Sequence, residues 1–145
     1  MKNYLIKNAQ IVNEGVVKKG DVLVLRGRIE HIDDNISPAN NEIKIIDAAG
    51  QFLIPGFIDD QVHFREPGLT KKGDIYSESR AAVAGGITSF IEQPNTVPQA
   101  TTIKLLEEKF ELAATQSLAN YSFNLGATNK NLEELKKADK TKHAG

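Results

Sequence analysis

The stretch Asp59-Asp60-Gln61-Val62-His63-Phe64-Arg65-Glu66-Pro67-Gly68 gathers most of the side chains in this sequence that could do chemistry. It follows directly on an apolar run, Phe52-Leu53-Ile54-Pro55-Gly56-Phe57-Ile58. Along a strand, side chains two apart share a side. Asp59, Gln61, His63 and Arg65 would then project an acid, an amide, an imidazole and a guanidinium into one space, if the strand runs that far. An imidazole is a good zinc ligand, and a strand end is a firm mount for one. The bland alternative is a hydrogen-bonded interfacial His63 and an Arg65 that serves a surface ion pair. A second polar group, Gln93-Pro94-Asn95-Thr96, ends another apolar segment. The Asn95 amide can both donate to and accept from a ligand. Pro-Asn is also ordinary turn chemistry.

Other polar features carry less. Gly85-Gly86 lacks any surrounding G-x-G-x-x-G or Walker pattern and closes a helix instead of opening one, so it is no phosphate loop. Lys71-Lys72 and Lys136-Lys137 read as solvated charge. His31 and His143 are assigned to no site. The sequence holds no cysteine, so any metal must be held by His, Asp, Glu or a modified side chain. Net charge is -1, so nothing suggests a nucleic-acid footprint or a strongly basic membrane-binding face. The N-terminus shows no signal-peptide pattern, and no stretch approaches the roughly 18 apolar residues of a membrane span. A cytoplasmic location is the default expectation.

The elements that must position these side chains change character near Gly50. Residues 1–51 read as short strands. These are Tyr4 to Val12, Asp21 to Leu25, Arg28 to Ile32 and Glu42 to Asp47, with a tight hairpin at Arg26-Gly27 and a loop over Ser37-Pro38-Ala39-Asn40-Asn41. Residues 52–145 alternate. The apolar run from Phe52 to Ile58 suits one strand buried on both faces of a parallel sheet. A helix over Asp74 to Ala84 follows, capped by Asp74 and stopped by Gly85-Gly86. Then come a strand over Ile87 to Ile91, a helix over Thr101 to Ser117, and a strand over Tyr121 to Leu125. Asn131 with Glu134 has the form of a capping box for a last short helix. Strand-helix repetition of this kind signals a parallel α/β architecture, whose sites sit at the C-terminal strand ends. A compact flavodoxin-like or ferredoxin-like domain is the alternative for this length.

Taken together the sequence resembles the dihydroorotase branch of the amidohydrolase superfamily. The resemblance is carried by Pro55-Gly56-Phe57-Ile58-Asp59, His63-Phe64-Arg65-Glu66-Pro67-Gly68-Leu69-Thr70, Ala81-Ala82-Val83-Ala84-Gly85-Gly86-Ile87-Thr88 and Pro94-Asn95-Thr96-Val97-Pro98. It implies an α/β fold: the first three βα units of a (β/α)8 TIM-type barrel, preceded by a small all-β segment that is part of a β-sandwich. The division expected is 1–51 for the β segment and 52–145 for the partial barrel. The implied activity is zinc-dependent hydrolysis of a cyclic amide, dihydroorotate to N-carbamoyl-L-aspartate in pyrimidine synthesis, with one or two Zn²⁺ ions. His63 matches the second His of the family's His-x-His metal pair, and Arg65 and Asn95 match residues that bind the substrate carboxylate. A guanidinium fork suits a carboxylate. The departure is Gln61, where the family usually has His; an amide oxygen is a weaker zinc ligand. The family's bridging lysine, further histidines and catalytic aspartate are expected downstream of Gly145, so no catalytic residue is expected within this chain and the chain alone is expected to be inactive. The partner is expected to be a small-molecule substrate, with neither nucleic acid nor membrane, and a homo-oligomer stays open. A non-catalytic scaffold, or a related allantoinase or dihydropyrimidinase, is the other reading.

Overall fold

The computed structural model describes residues 2–38, 40 and 42–145. Ala39 and Asn41, part of the expected loop at 37–41, lie outside the described residues. The chain divides into two compact units, Met1–Pro55 and Gly56–Gly145.

The first unit is a five-stranded sheet. Strands β1 (Asn3–Asn13), β2 (Val16–Leu25) and β3 (Arg28–Asp33) form an antiparallel meander. Both connections are two-residue turns with positive φ at each position: 50° and 75° at Glu14-Gly15, 53° and 78° at Arg26-Gly27. Those dihedrals match the right-handed twist of the flanking strands. The first of these turns lengthens β2 back to Val16, well before the expected start at Asp21. β4 (Ile43–Asp47) and β5 (Phe52–Leu53) both run parallel to β1. Leu5, Ile36 and Ile43 are buried together, with Leu23 and Leu25 packed against them. The buried Asp21 carboxylate accepts N–H bonds from Asn8 and Ile36, each 2.9 Å, and pairs with Lys7 Nζ at 3.1 Å. These bonds hold its carboxyl below the ordinary range against the opposing effect of burial.

The second unit alternates β6 (Phe57–Val62), α1 (Ile75–Ala84), β7 (Ile87–Glu92), α2 (Ile103–Gln116), β8 (Asn120–Phe123) and α3 (Leu132–Lys137). Its sheet has the order β6-β7-β8 with both pairings parallel. The expected α/β character is therefore present. Phe64, Ile75, Phe90, Leu106, Ala113 and Phe123 form its core. Phe64 lies 4.4 Å from Phe90, and Phe110 meets Phe123 edge-on at 4.9 Å between ring centres. Such aromatic pairs add to the area they bury.

Two expectations need correction. The apolar run from Phe52 to Ile58 is two strands, not one. Pro55 has no N–H to give a ladder, so the run breaks there; Phe52 and Leu53 join β1, and β6 begins at Phe57. Nor is it buried on both faces, since β6 is an edge strand and Phe57 and Ile58 are 57% and 70% exposed. The second correction concerns Asn131 and Glu134. Asn131 precedes α3 but makes no side-chain cap there. Its amide donates to Thr101 O (2.8 Å) and Gly126 O (2.7 Å), and its Oδ1 accepts from Thr128 N (2.7 Å). Glu134 Oε2 accepts instead from Ile103 N, at the start of α2, at 3.1 Å. No helix among the described residues is long and apolar enough to cross a membrane.

Candidate active site

Because β6, β7 and β8 are parallel, their C-terminal ends lie side by side, and the two polar groups singled out above leave the sheet there. β6 does not deliver its residues by simple alternation. Asp59 pairs with Phe90 but Val62 pairs with Glu92, so β6 carries an extra residue between them. A bulge of this kind bends the strand and changes which side each residue faces. The Asp59 carboxylate accepts the Gln61 N–H at 3.1 Å and ties the bulge locally. Beyond it Val62 and Phe64 are buried at 9% and 7%, while Gln61 and His63 face outward. Arg65 then adopts φ 71°. The expectation that Asp59, Gln61, His63 and Arg65 share one side of a continuous strand is thus corrected: the strand ends at Val62, after a bulge, and Arg65 sits in a left-handed turn.

What fixes that turn is a buried ion pair. Glu92, the last residue of β7, is 1% exposed, and its Oε1 accepts the Arg65 N–H at 3.0 Å. Its Oε2 lies 2.9 Å from Lys109 Nζ, itself 2% exposed. Lys109 also reaches Gln93 O at 3.4 Å and sits 4.8 Å above the Phe123 ring. Burial raises the Glu92 carboxyl above its ordinary range despite the Lys109 charge and the N–H donors. Burial likewise lowers the Lys109 ammonium. Lys109 has no place in the sequence reading above, yet the signal is there: it falls on the apolar stripe of α2, between Leu106 and Ala113. A lysine in such a stripe is buried only if it is paired.

The loop after β6 is stitched to its neighbours. Glu66 Oε2 accepts from Ile75 N, at the first turn of α1, at 2.9 Å. Pro67 O accepts from Val97 N at 3.0 Å. Pro94 O accepts from Ala100 N at 3.1 Å, and Ala100 O from Gly126 N at 2.7 Å, which carries the stitching to the end of β8. Thr96 is 2% exposed and donates to Pro98 O at 2.9 Å.

Of the four site residues expected, the structure brings two into contact. His63 Nδ1 and Asn95 Oδ1 are 2.9 Å apart, and both side chains are exposed. Arg65 is half-buried on the same loop, and Gln61 is exposed one alternation before His63. A cavity of about 170 Å³ lined by Pro94, Asn95, Thr101 and Gly126 adjoins this point. A larger one, about 520 Å³, lies along α2 between Ile103, Phe110 and His143 and contains none of the expected site residues.

Comparison with known proteins decides the family. The chain is 38% identical over 136 residues to the dihydroorotase of Methanosarcina mazei, covering 94% of this chain and 29% of that protein. It is 46% identical over 110 residues to the dihydroorotase of Carboxydothermus hydrogenoformans, covering 72% of this chain and 25% of that protein. Among solved structures, L-hydantoinase (dihydropyrimidinase) from Arthrobacter aurescens superposes with a TM-score of 0.87 at 31% identity, over 94% of this chain and 30% of that one. The chain belongs to the dihydroorotase-like cyclic amidohydrolases. No protein-family model matches it. As a cyclic amidohydrolase chain it spans less than a third of the relatives it matches, and it aligns with their N-terminal region.

For a cyclic amidohydrolase the next question is metal. Among the described residues no group of three or more His, Cys, Asp or Glu side chains could hold an ion. A zinc site draws on about three or four protein donors, so these residues do not close one by themselves. His63 fits as a single donor. Its Nδ1 is engaged by Asn95, which is the usual outer bond of a metal-bound imidazole. Gln61 offers only a neutral amide oxygen.

Proposed function

We propose that this chain supplies the opening βα units of a (β/α)8 barrel in a zinc-dependent cyclic-amide hydrolase that opens dihydroorotate to N-carbamoyl-L-aspartate. The observation that carries the reading is the meeting of His63 with Asn95 at the C-terminal ends of adjacent parallel strands, with Arg65 on the same loop. Parallel α/β folds place their sites at those ends. In this reading His63 is one metal ligand, Gln61 stands beside it where the family resemblance implies a histidine, and further donors and the acid–base group come from outside these residues. When zinc is bound, the chemistry it supplies is acidification of a water and polarisation of a ring carbonyl. The chain's own part is binding and orientation. Arg65 presents a guanidinium fork that matches a substrate carboxylate, and the Asn95 amide N–H groups add donors to the same anion.

The test is a chimera in which this chain replaces the matching segment of the Methanosarcina mazei dihydroorotase. It is expected to turn over dihydroorotate. Loss of a charge-assisted hydrogen bond costs about 1.5–3 kcal/mol, so Arg65→Ala should raise KM by roughly 10- to 100-fold. The 145-residue chain alone, supplied with Zn²⁺, should show no turnover above background. Zinc-dependent turnover by the chain alone would contradict the assignment of the acid–base group elsewhere. A second reading follows from the structural similarity to a hydantoinase (dihydropyrimidinase). Rings without a carboxylate gain nothing from Arg65. A chimera that prefers them, and ignores Arg65→Ala, would move the function to that class.

A further inference from the structure

The His63–Asn95 contact has a definite polarity. A neutral imidazole carries one N–H and one lone pair, and a carboxamide oxygen only accepts. With Asn95 Oδ1 at 2.9 Å, His63 Nδ1 must be the donor, which leaves the lone pair on Nε2. In water a free histidine side chain prefers the opposite arrangement, with the proton on Nε2. The bond to Asn95 therefore reverses the default.

We propose that Asn95 is a positioning residue that sets the tautomer of His63, holding the proton on Nδ1 and presenting the Nε2 lone pair outward. Its consequence, though not its geometry, rests on the reading of His63 as a metal ligand. Both partners are held independently. His63 lies between buried Val62 and Phe64, which pin its backbone. Asn95 lies between Pro94, whose carbonyl accepts from Ala100, and buried Thr96. Val97 N–H then ties that loop to Pro67, on the loop that carries His63. The distance is thus fixed by two strand ends and a cross-link between their loops. The polarity has a second effect. One lone pair of the Asn95 oxygen is taken by the imidazole, while its two amide N–H groups stay available and can serve only an acceptor. One side chain then orients the ligand histidine with its oxygen and meets an anionic substrate with its nitrogen. The reversed amide would donate to Nδ1, place the proton on Nε2 and block ligation there.

The tautomer can be read in the ¹⁵N-labelled chain with no metal present, by long-range ¹H–¹⁵N correlation of the imidazoles well above the ordinary histidine pKa of about 6.5. His63 is expected in the Nδ1–H form, with a short unstructured histidine peptide under the same conditions as the reference for an unconstrained ring, since His31 Nε2 lies 3.4 Å from the Asp33 carboxylate. Asn95→Leu should return His63 to the Nε2–H majority form, and Asn95→Asp, which keeps an acceptor, should preserve Nδ1–H. A wild-type His63 in the Nε2–H form overturns the proposal, as does a tautomer that Asn95→Leu leaves unchanged in a chain whose amide spectrum is otherwise retained. Should the leucine variant lose that spectrum, Asn95→Ser, too short to reach the ring, takes its place with the same two outcomes. Because no metal is added, failure here removes the role of Asn95 alone. The ligand role of His63 stands or falls separately, on the zinc content of a His63→Ala chimera.

Discussion

A methyl group at position 68 would collide with the carbonyl oxygen and the side chain of Val97. Gly68 also holds φ at +84°, which side chains rarely adopt. These two demands fall where the loop after β6 crosses the loop after β7, one residue from the Pro67–Val97 hydrogen bond. Gly68→Ala should therefore cost roughly 2–4 kcal/mol, from dihedral strain plus overpacking. It should also loosen the His63–Asn95 contact. Urea unfolding monitored by circular dichroism measures the first. A loss below about 0.5 kcal/mol, the usual scale of a surface change, would show that the loops do not depend on this approach.

Lys109 is the other residue on which the site leans, and its effect should depend on pH. Lys109→Met leaves Glu92 buried without its counter-charge, and breaking a buried pair costs about 3–5 kcal/mol near neutrality. The sign of the pH dependence follows from linkage. The Glu92 carboxyl is raised by burial, and removing Lys109 removes an influence that lowers it, so the variant's carboxyl lies higher still. A raised carboxyl contributes stability below its unfolded pKa and loses it as pH rises through the folded one. The variant's deficit should thus be small in acid and grow with pH through the range above the ordinary glutamate value. Unfolding free energies of both chains at several pH values measure this. A deficit independent of pH would mean that Lys109 acts by packing its stem and not by its charge.

At the scale of elements, the clearest sequence signals were local ones. Asp74 caps α1 as its position predicts, with Ser77 completing a capping box, because the required partners are only three residues away. The stripe of Leu106, Phe110 and Ala113 marks α2 for the same reason. The failures are where a local rule met a distant competitor. Asn131 and Glu134 have the spacing of a capping box, but each finds a better-placed partner near α2. The bulge in β6 and the left-handed Arg65 are set by pairing to β7 and by the Glu92 carboxylate, neither of which the sequence of β6 contains. So His63, Arg65 and Asn95 could be singled out as candidates from the sequence, and the contact between His63 and Asn95 could not. The misread cap yields a prediction. Asn131→Ala removes bonds to Thr101, Gly126 and Thr128 that join the start of α2 to the end of β8. At about 1 kcal/mol per hydrogen bond, with more where a partner is left unsatisfied, it should cost about 2–3 kcal/mol. Glu134→Ala removes one bond and should cost about 1 kcal/mol or less. Thermal unfolding of the two variants checks the order. If Glu134→Ala were the more damaging, α3 would matter through its packing and not through this network.

For the molecule as a whole, the telling surface is the edge of its parallel sheet. β6 has β7 on one side only, and it exposes Phe57 and Ile58. The first unit likewise leaves Val17, Ile29, Ile45 and Phe52 more than half exposed. An apolar edge with free backbone donors and acceptors is a template for another strand. The chain spans 29% of the Methanosarcina mazei dihydroorotase, and in the barrel proposed above a closed sheet would leave no such edge. The 145-residue chain should therefore self-associate as its concentration rises, and the association should run through β6. Ile58→Lys places a charge on that edge at little cost to folding, since the side chain it replaces is 70% exposed. Sedimentation velocity over a range of concentrations should show the wild-type chain moving to larger species and the lysine variant remaining smaller. Equal association of the two would locate the contact elsewhere, and the exposed sheet of the first unit would be the next place to substitute.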